Sequence, residues 1–363
     1  MRVASDPPGR SREARLTAYS SAATSLALCS DDRLGALVDA AAPLGTGIGG
    51  RSALLEVDGT QVFVKQLPLT DTERLPRHVR STANLSGIPD LCHYGVGGPG
   101  FGAWRELAVQ TMTTNWVLAG QYEGFPLMYH WRVLPGTPAE LPAELADVAG
   151  MVAYWGGSQE VGRRIEEIRG ATARMVLFLE YIPQTVHVWL ADRIREGAES
   201  ADRACSLVER ELAAGTSFMN ARGLLHFDAH FQNILADGRR LYFTDYGLAL
   251  SSQFDLSPSE AGFFALHHRT YDPCYTRSWL VNRMITELYG YERKEREALI
   301  RACAQGEEPP DGPPGARAIL IRHAPIAAMM TDFYGRVLDE SREIPYPSEE
   351  LLRALREDRS RHG

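Results

Sequence analysis

Short apolar runs bounded by turn formers dominate the first half of the chain. Longer stretches with apolar positions three and four apart dominate the second. ALLEV (53–57) and QVFVKQL (61–67) read as strands, and Asp58-Gly59 is the tight turn that joins them as a hairpin. Residues 16–42 read as one or two short helices. AWRELAVQTMTTNWVLAG (103–120) reads as a helix with Trp104, Leu107, Ala108, Thr111 and Met112 at helical spacing. GFPLMYHWRVLP (124–135) and ARMVLFLEYIP (173–183) read as strands, the second buried, and residues 136–172 form a charged helical insertion with Pro-rich edges. After Pro183 the period becomes helical. ADRACSLVERELAAGTSFMNARG (201–223) ends on a glycine stop, ILAD and LYFTDY are short strands joined by DGRR, and 260–305 and 315–358 are helices separated by an acidic Pro/Gly loop. Residues 1–15 are expected to be disordered, and 70–103 show many turn formers and no clear period.

Strands first and helices afterwards, with the change near residue 182, predict an α+β chain in two lobes and a ligand cleft between them. The expected divisions are an N-terminal extension (1–40), a strand-rich lobe (41–182) carrying the insertion, and a helical lobe (183–363).

Composition narrows the classes. With 363 residues, 44% apolar and 23% charged, the chain can bury an ordinary globular core. A net charge of −8 argues against a nucleic-acid surface. Five widely spaced cysteines without a CxxC pair fit reduced, cytoplasmic thiols. The N-terminus has no apolar run of the kind a secretory signal needs, and no stretch is apolar for the length of a membrane span. Of the 38 basic residues only Lys65 and Lys294 are lysine, which fits a coding bias that converts Lys to Arg wherever Arg is tolerated. Lys294 lies on a charged helical face. Lys65 lies inside an apolar strand, where a compact ammonium and a planar guanidinium are not interchangeable.

The candidate chemistry gathers in three places. Gly45, Gly47, Gly49 and Gly50 match GxGxxG, but a strand hairpin follows rather than a helix, so a dinucleotide fold is excluded by context. The run fits either a glycine flap over phosphates or a plain loop. Lys65, on the strand that follows, needs a carboxylate to hold it. Glu106 in AWREL is the first choice, and Glu73 is nearer in sequence but sits in an irregular segment. Finally, HFDAHFQN (226–233) and FTDYG (243–247) place Asp228, Asn233 and Asp245 in order. Asn233 and Asp245 are oxygen donors suited to Mg²⁺, and Asp228 can orient an attacking hydroxyl. His226 and His230, four apart, also admit a zinc reading, without HExxH logic or a third ligand at convincing spacing.

The ordered set of glycine run, Lys65, Glu106, HFDAHFQN and DYG resembles the protein-kinase-like superfamily, over residues 41–255. HxDxxxxN matches His226, Asp228 and Asn233, and DxG matches Asp245 and Gly247 with Tyr246 in place of Phe. Phe227 and His230 depart from the protein-kinase HRDxK, and no APE follows at a sensible distance. HFDAHFQNIL is closer to the loop of aminoglycoside phosphotransferases, choline kinases and related small-molecule kinases, though with Phe227 where that branch has a small residue. The resemblance implies a two-lobed kinase-like fold, ATP or GTP with Mg²⁺, Gly45, Gly47 and Gly50 over the phosphates, and Lys65 with Glu106 on the α and β phosphates. It also implies backbone at Glu180–Ile182 on the nucleobase, Asn233 and Asp245 on the metal, and Asp228 as the catalytic base. The implied acceptor is the hydroxyl of a small molecule. An antibiotic, a sugar and an amino alcohol all satisfy it, and Asp255, Glu260 and Asp272 are candidates to hold a cationic one. The alternatives are an atypical Ser/Thr protein kinase and a catalytically silent kinase-like binding protein.

Overall fold

The structure is a computed structural model that describes residues 11–47, 50–95, 97–138 and 141–362. It combines helices with antiparallel sheet, and the chain divides into two compact units. One holds the described residues up to Ile182 together with Asp245–Ala261. The other holds Pro183–Thr244 and the chain from Gly262 on.

The first unit contains α1 (Arg12–Ala27), α2 (Asp31–Ala40), β1 (Ala42–Gly47), β2 (Gly50–Val57), β3 (Thr60–Leu69), α3 (Asp71–Arg74), α4 (Ala103–Leu118), β4 (Met128–Pro135), α5 (Ala143–Ala146), α6 (Val148–Tyr154), α7 (Gln159–Arg169) and β5 (Ala173–Glu180). The strands form one antiparallel sheet in the order β1-β2-β3-β5-β4. The hairpin β2–β3 closes on Asp58 and Gly59, both at positive φ (48° and 73°), as a type I′ turn requires. Alternation sorts the sheet's two faces. Phe63, Leu67 and Leu69 of β3 and Ala173, Met175, Leu177 and Leu179 of β5 pack with Ala103, Trp104 and Leu107 of α4. Helices α1 and α2 pack against β2 and β4.

Two expectations for this unit change, and the helical insertion is as expected. The disorder expected for 1–15 falls largely outside the described residues, but Arg12–Arg15 are helical, capped by the Ser11 side chain on the Ala14 N–H at 3.2 Å. The strand expected at 124–135 begins only at Met128, and the one expected at 173–183 ends at Glu180. The insertion is three helices whose Leu145, Trp155, Val161 and Ile165 share a core with Ile88, Cys92 and Phe101, so it braces the irregular 70–102 segment.

Gly50 opens β2 at φ 102°, and a Cβ there would lie 2.1 Å from the Gln66 carbonyl oxygen. Gly50→Ala is therefore expected to destabilise this unit by about 2 kcal/mol or more, since strand β3 and not a flexible side chain occupies the space. A lowered denaturation midpoint with unchanged m value checks this.

The second unit contains β6 (Gln184–Thr185), α8 (Val186–Arg195), α9 (Ala198–Ala221), β7 (Leu224–Leu225), β8 (Ile234–Ala236) and β9 (Leu241–Phe243). The chain then passes through β10 (Leu250–Ser251), which belongs to the first unit, and α10 (Pro258–His267) starts there and runs into the second. α11 (Tyr271–Tyr289), α12 (Arg293–Ala304), α13 (Pro314–Asp339) and α14 (Ser348–His362) complete it. Gly223 at φ 67° ends α9. The two long helical stretches expected after 260 are five helices. Gly290, left-handed at φ 70°, stops α11, and the segment 340–347 stops α13. Helices α9, α11 and α13 pack on one another, and β6, β8 and β9 form a small antiparallel sheet. Among the described residues no helix is long and apolar enough to cross a membrane.

His267 is fully buried in this unit, stacked on Tyr346 at 4.5 Å, and burial pushes its pKa down to about 4. Below its ordinary value of 6.5 the unfolded chain takes up a proton that the folded one refuses. Stability is therefore lost as pH falls from about 6.5 to about 4, at up to about 1.4 kcal/mol per pH unit. Asp272, raised to about 6 by burial, opposes this in the same window, so the difference between wild type and His267→Gln isolates the histidine. The urea midpoint of His267→Gln, taken relative to wild type, should rise as pH falls from 7 to 4.5.

Candidate active site

In the first unit, Lys65 occupies the middle of the β3 face that packs on α4, opposite Leu177 of β5. Its ammonium has little access to water, with the side chain 10% exposed, and it reaches two carboxylates. Glu106 Oε1 lies at 2.6 Å and Asp245 Oδ1 at 2.9 Å. Burial opposes the charge on Lys65, but Asp245 and Glu106 together outweigh it and hold the pKa above the ordinary lysine value. Burial also lifts Glu106 to about 7, against the pull of Lys65 and with the repulsion of Asp245. The buried carboxylate behind Lys65 is thus a strong positional restraint, and the partly exposed Asp245 is the outer partner.

Glu73, the other carboxylate considered for Lys65, is committed elsewhere. Helix α4 starts at Gly102 with no side-chain cap of its own, and Glu73 Oε1 accepts the Ala103 N–H at 2.8 Å instead. Arg164 of the insertion, at 3.0 Å, and Thr70, through a reciprocal capping box, hold Glu73 below the usual carboxylate range despite its burial. An anion at a helix N-terminus is favourable in its own right. The insertion therefore fixes where α4, and with it Glu106, begins.

Asp245 itself has φ 64°, unusual outside glycine. The residues after it are anchored in the same unit. Tyr246 is buried and bonds Thr113 of α4, Phe101 N–H donates to the Gly247 carbonyl at 3.2 Å, and His93 Nδ1 donates to the Leu248 carbonyl at 2.7 Å. The Tyr246–Thr113 bond is one a phenylalanine could not make.

In the second unit the loop 226–233 hangs from one buried carboxylate. Asp272 Oδ2 accepts the His226 N–H at 2.7 Å and Oδ1 the Phe227 N–H at 3.0 Å. Phe227 adopts φ 62° with its ring packed on Tyr271 at 4.6 Å and Phe263 at 5.5 Å, a conformation that persists only when its surroundings dictate it. His226 is fully buried and donates from Nε2 to the Thr244 carbonyl at 3.0 Å. Asp228, next along, keeps a side chain 20% exposed. Asn233 Nδ2 donates to its Oδ2 at 2.9 Å and to its carbonyl at 3.1 Å, and His230 Nε2 lies 3.6 Å from Oδ1.

The expected nucleobase contacts change in part. Glu180 N–H donates to the Leu127 carbonyl at 2.7 Å and its carboxylate is buried, which leaves Tyr181 and Ile182, outside any strand, as the backbone for that task. Gly45 and Gly47 lie in β1 and Gly47 pairs with Gly50, while Ile48 and Gly49 lie outside the described residues. Two of the three acidic residues considered for a cationic acceptor have structural partners. Glu260 is buried against Arg105 at 2.5 Å and Asp272 holds the loop, while only Asp255 is exposed. Sequence reasoning missed Asp272 as an anchor, Glu73 as a cap and the Arg105–Glu260 pair. No local signal marked them: Glu73 sits in a polar segment, and the partners of Glu260 and Asp272 lie far away in the sequence. No group of three or more His, Cys, Asp or Glu is gathered as a metal cluster among the described residues. No protein-family model matches the chain, and no curated protein matches it.

Proposed function

We propose that the chain is a small-molecule O-phosphotransferase, which moves the γ-phosphate of ATP or GTP to a hydroxyl with Mg²⁺, on a two-lobed protein-kinase-like fold. The observation that carries this reading is the buried Lys65 ammonium shared by Glu106 and Asp245, partners 41 and 180 residues away in sequence. A structural ion pair needs one carboxylate. A second, partly exposed one is what a phosphate- and cation-binding site adds.

In this reading Glu106 holds Lys65 from behind and Lys65 meets the α and β phosphates. The donor set suits magnesium. Asn233 spends its Nδ2 on Asp228, which leaves the amide oxygen as the group for a cation, and the Asp245 carboxylate is 36% exposed. One amide oxygen and one carboxylate suffice for an ion that keeps most of its waters. When bound, magnesium supplies charge neutralisation on the transferring phosphates. Asp228, oriented by Asn233, accepts the proton of the acceptor hydroxyl as its oxygen bonds to the γ-phosphorus and the bond to the β-phosphate oxygen breaks. With Glu260 and Asp272 in structural roles, support for a polycationic acceptor is weaker, and neutral sugars and alcohols fit as well.

The test is label transfer from γ-labelled ATP and GTP to a panel of aminoglycosides, nucleoside antibiotics, sugars and amino alcohols, with generic protein substrates alongside. Label on a small molecule is the expected result. Label on protein alone would replace this reading with an atypical protein kinase.

A further inference from the structure

Helix α1 carries an arginine where an amphipathic helix has its apolar face. Arg15 is 1% exposed and shares the buried side of α1 with Ala22 and Leu26. Its guanidinium grips Glu180, the last residue of β5, through Nε at 2.9 and 3.1 Å and Nη2 at 2.8 Å. Two further donors, from Nη1 and Nη2, reach the carbonyls of Glu123 at 2.9 Å and Phe125 at 2.7 Å. Glu180 Oε2 also accepts the Leu127 N–H at 3.1 Å, and the Leu127 carbonyl takes the Glu180 N–H in return. The arginine thus ties α1, the 123–127 segment and the end of β5 into one closed set of hydrogen bonds.

For stability alone this arrangement has no advantage, because a well-packed apolar pair of similar volume does as well as a buried ion pair or better. What charge and a planar fork add is fixed geometry. The geometry is fixed at the residue before Tyr181 and Ile182, the backbone that the phosphotransferase reading gives to the nucleobase. We infer that Arg15 is a positioning residue for the nucleobase, so that helix α1 is a working part of nucleotide recognition. This inference rests on that reading and makes a separable claim, because Arg15 acts on the base end of the nucleotide and Lys65 on the phosphate end.

The experiment compares calorimetric affinities for Mg–ATP and for magnesium tripolyphosphate, which has the phosphates without the base. The proteins are wild type, Arg15→Met, Arg15→Lys and the double variant Arg15→Met/Glu180→Met. Arg15→Met should weaken ATP binding at least about tenfold and tripolyphosphate binding less than about twofold, with Arg15→Lys between. The double variant, with no unpaired buried charge, should recover thermal stability without recovering the preference for ATP, and it carries the test if the single variant does not fold. Parallel weakening of both ligands, unchanged ATP binding in a folded variant, or recovered ATP affinity in the double variant would overturn the role of Arg15. Failure of the wild type to bind either ligand would remove the phosphotransferase reading itself.

Discussion

Asp228→Asn is expected to lower turnover on the order of 10³-fold while nucleotide affinity stays within about twofold. The substitution is nearly isosteric, and the amide oxygen can still accept the bond that Asn233 makes to Asp228 Oδ2. The loop should therefore keep its shape, because its shape is set from Asp272 and not from Asp228. On the proposed function, what disappears is the acceptor for the hydroxyl proton. A fall in turnover with unchanged nucleotide binding is the pattern of an interaction used only in the transition state. Steady-state turnover on the labelled acceptor, with binding measured by calorimetry, is the check, and wild-type turnover in the variant would sink the assignment.

Asp272→Ala should produce the largest loss of stability in the second unit. Asp272 is fully buried, and its removal leaves the N–H groups of His226 and Phe227 without an acceptor. Each orphaned buried donor costs about 1–3 kcal/mol, so a total of about 2–6 kcal/mol is expected. The left-handed backbone of Phe227 is then no longer held in place, so the loop is free to relax and lose its shape. Turnover should fall although Asp228 is intact. Chemical denaturation measures the first effect. Assay of the fraction that stays folded measures the second, and a folded variant with full activity would show that the loop does not depend on this anchor.

The two experiments separate chemistry from scaffold, and the same division marks what the sequence made legible. The β2–β3 hairpin was readable because a tight Asp-Gly turn and flanking alternation are local signals, and α4 because its apolar residues repeat at helical spacing. Lys65 was readable by an odd route: in a chain nearly without lysine, one in an apolar strand stood out. Its partner was less so, since nothing local distinguishes Glu106 from Glu73. The structure separates them by giving Glu73 to Arg164 and the start of α4. Arg15 looked like part of a charged tail, because the residue that makes it necessary lies 165 positions later. A glutamate closing the apolar run ARMVLFLE was the available hint that some cation had to be buried against it. Glu260 and Asp272 were readable as acidic residues after FTDYG, but not as buried ones, because the groups they pair with come from distant parts of the chain.

The assignment of Asp245–Ala261 to the first unit bears on how the protein is made. Arg105 and Glu260, both buried, are 155 residues apart, and Lys65 and Asp245 are 180 apart. During synthesis the N-terminal sheet and α4 leave the ribosome long before the segment that neutralises Arg105. Until then, the buried guanidinium lacks Glu260, its ion-pair partner, and has only the weaker pull of Asp90. The sheet can form early, but its helix-bearing face cannot settle until much of the following unit has been translated, and closing so long a loop adds an entropic cost of its own. A nascent chain that ends at Ile182 would therefore be more open to proteases and chaperones than the same residues in the finished protein.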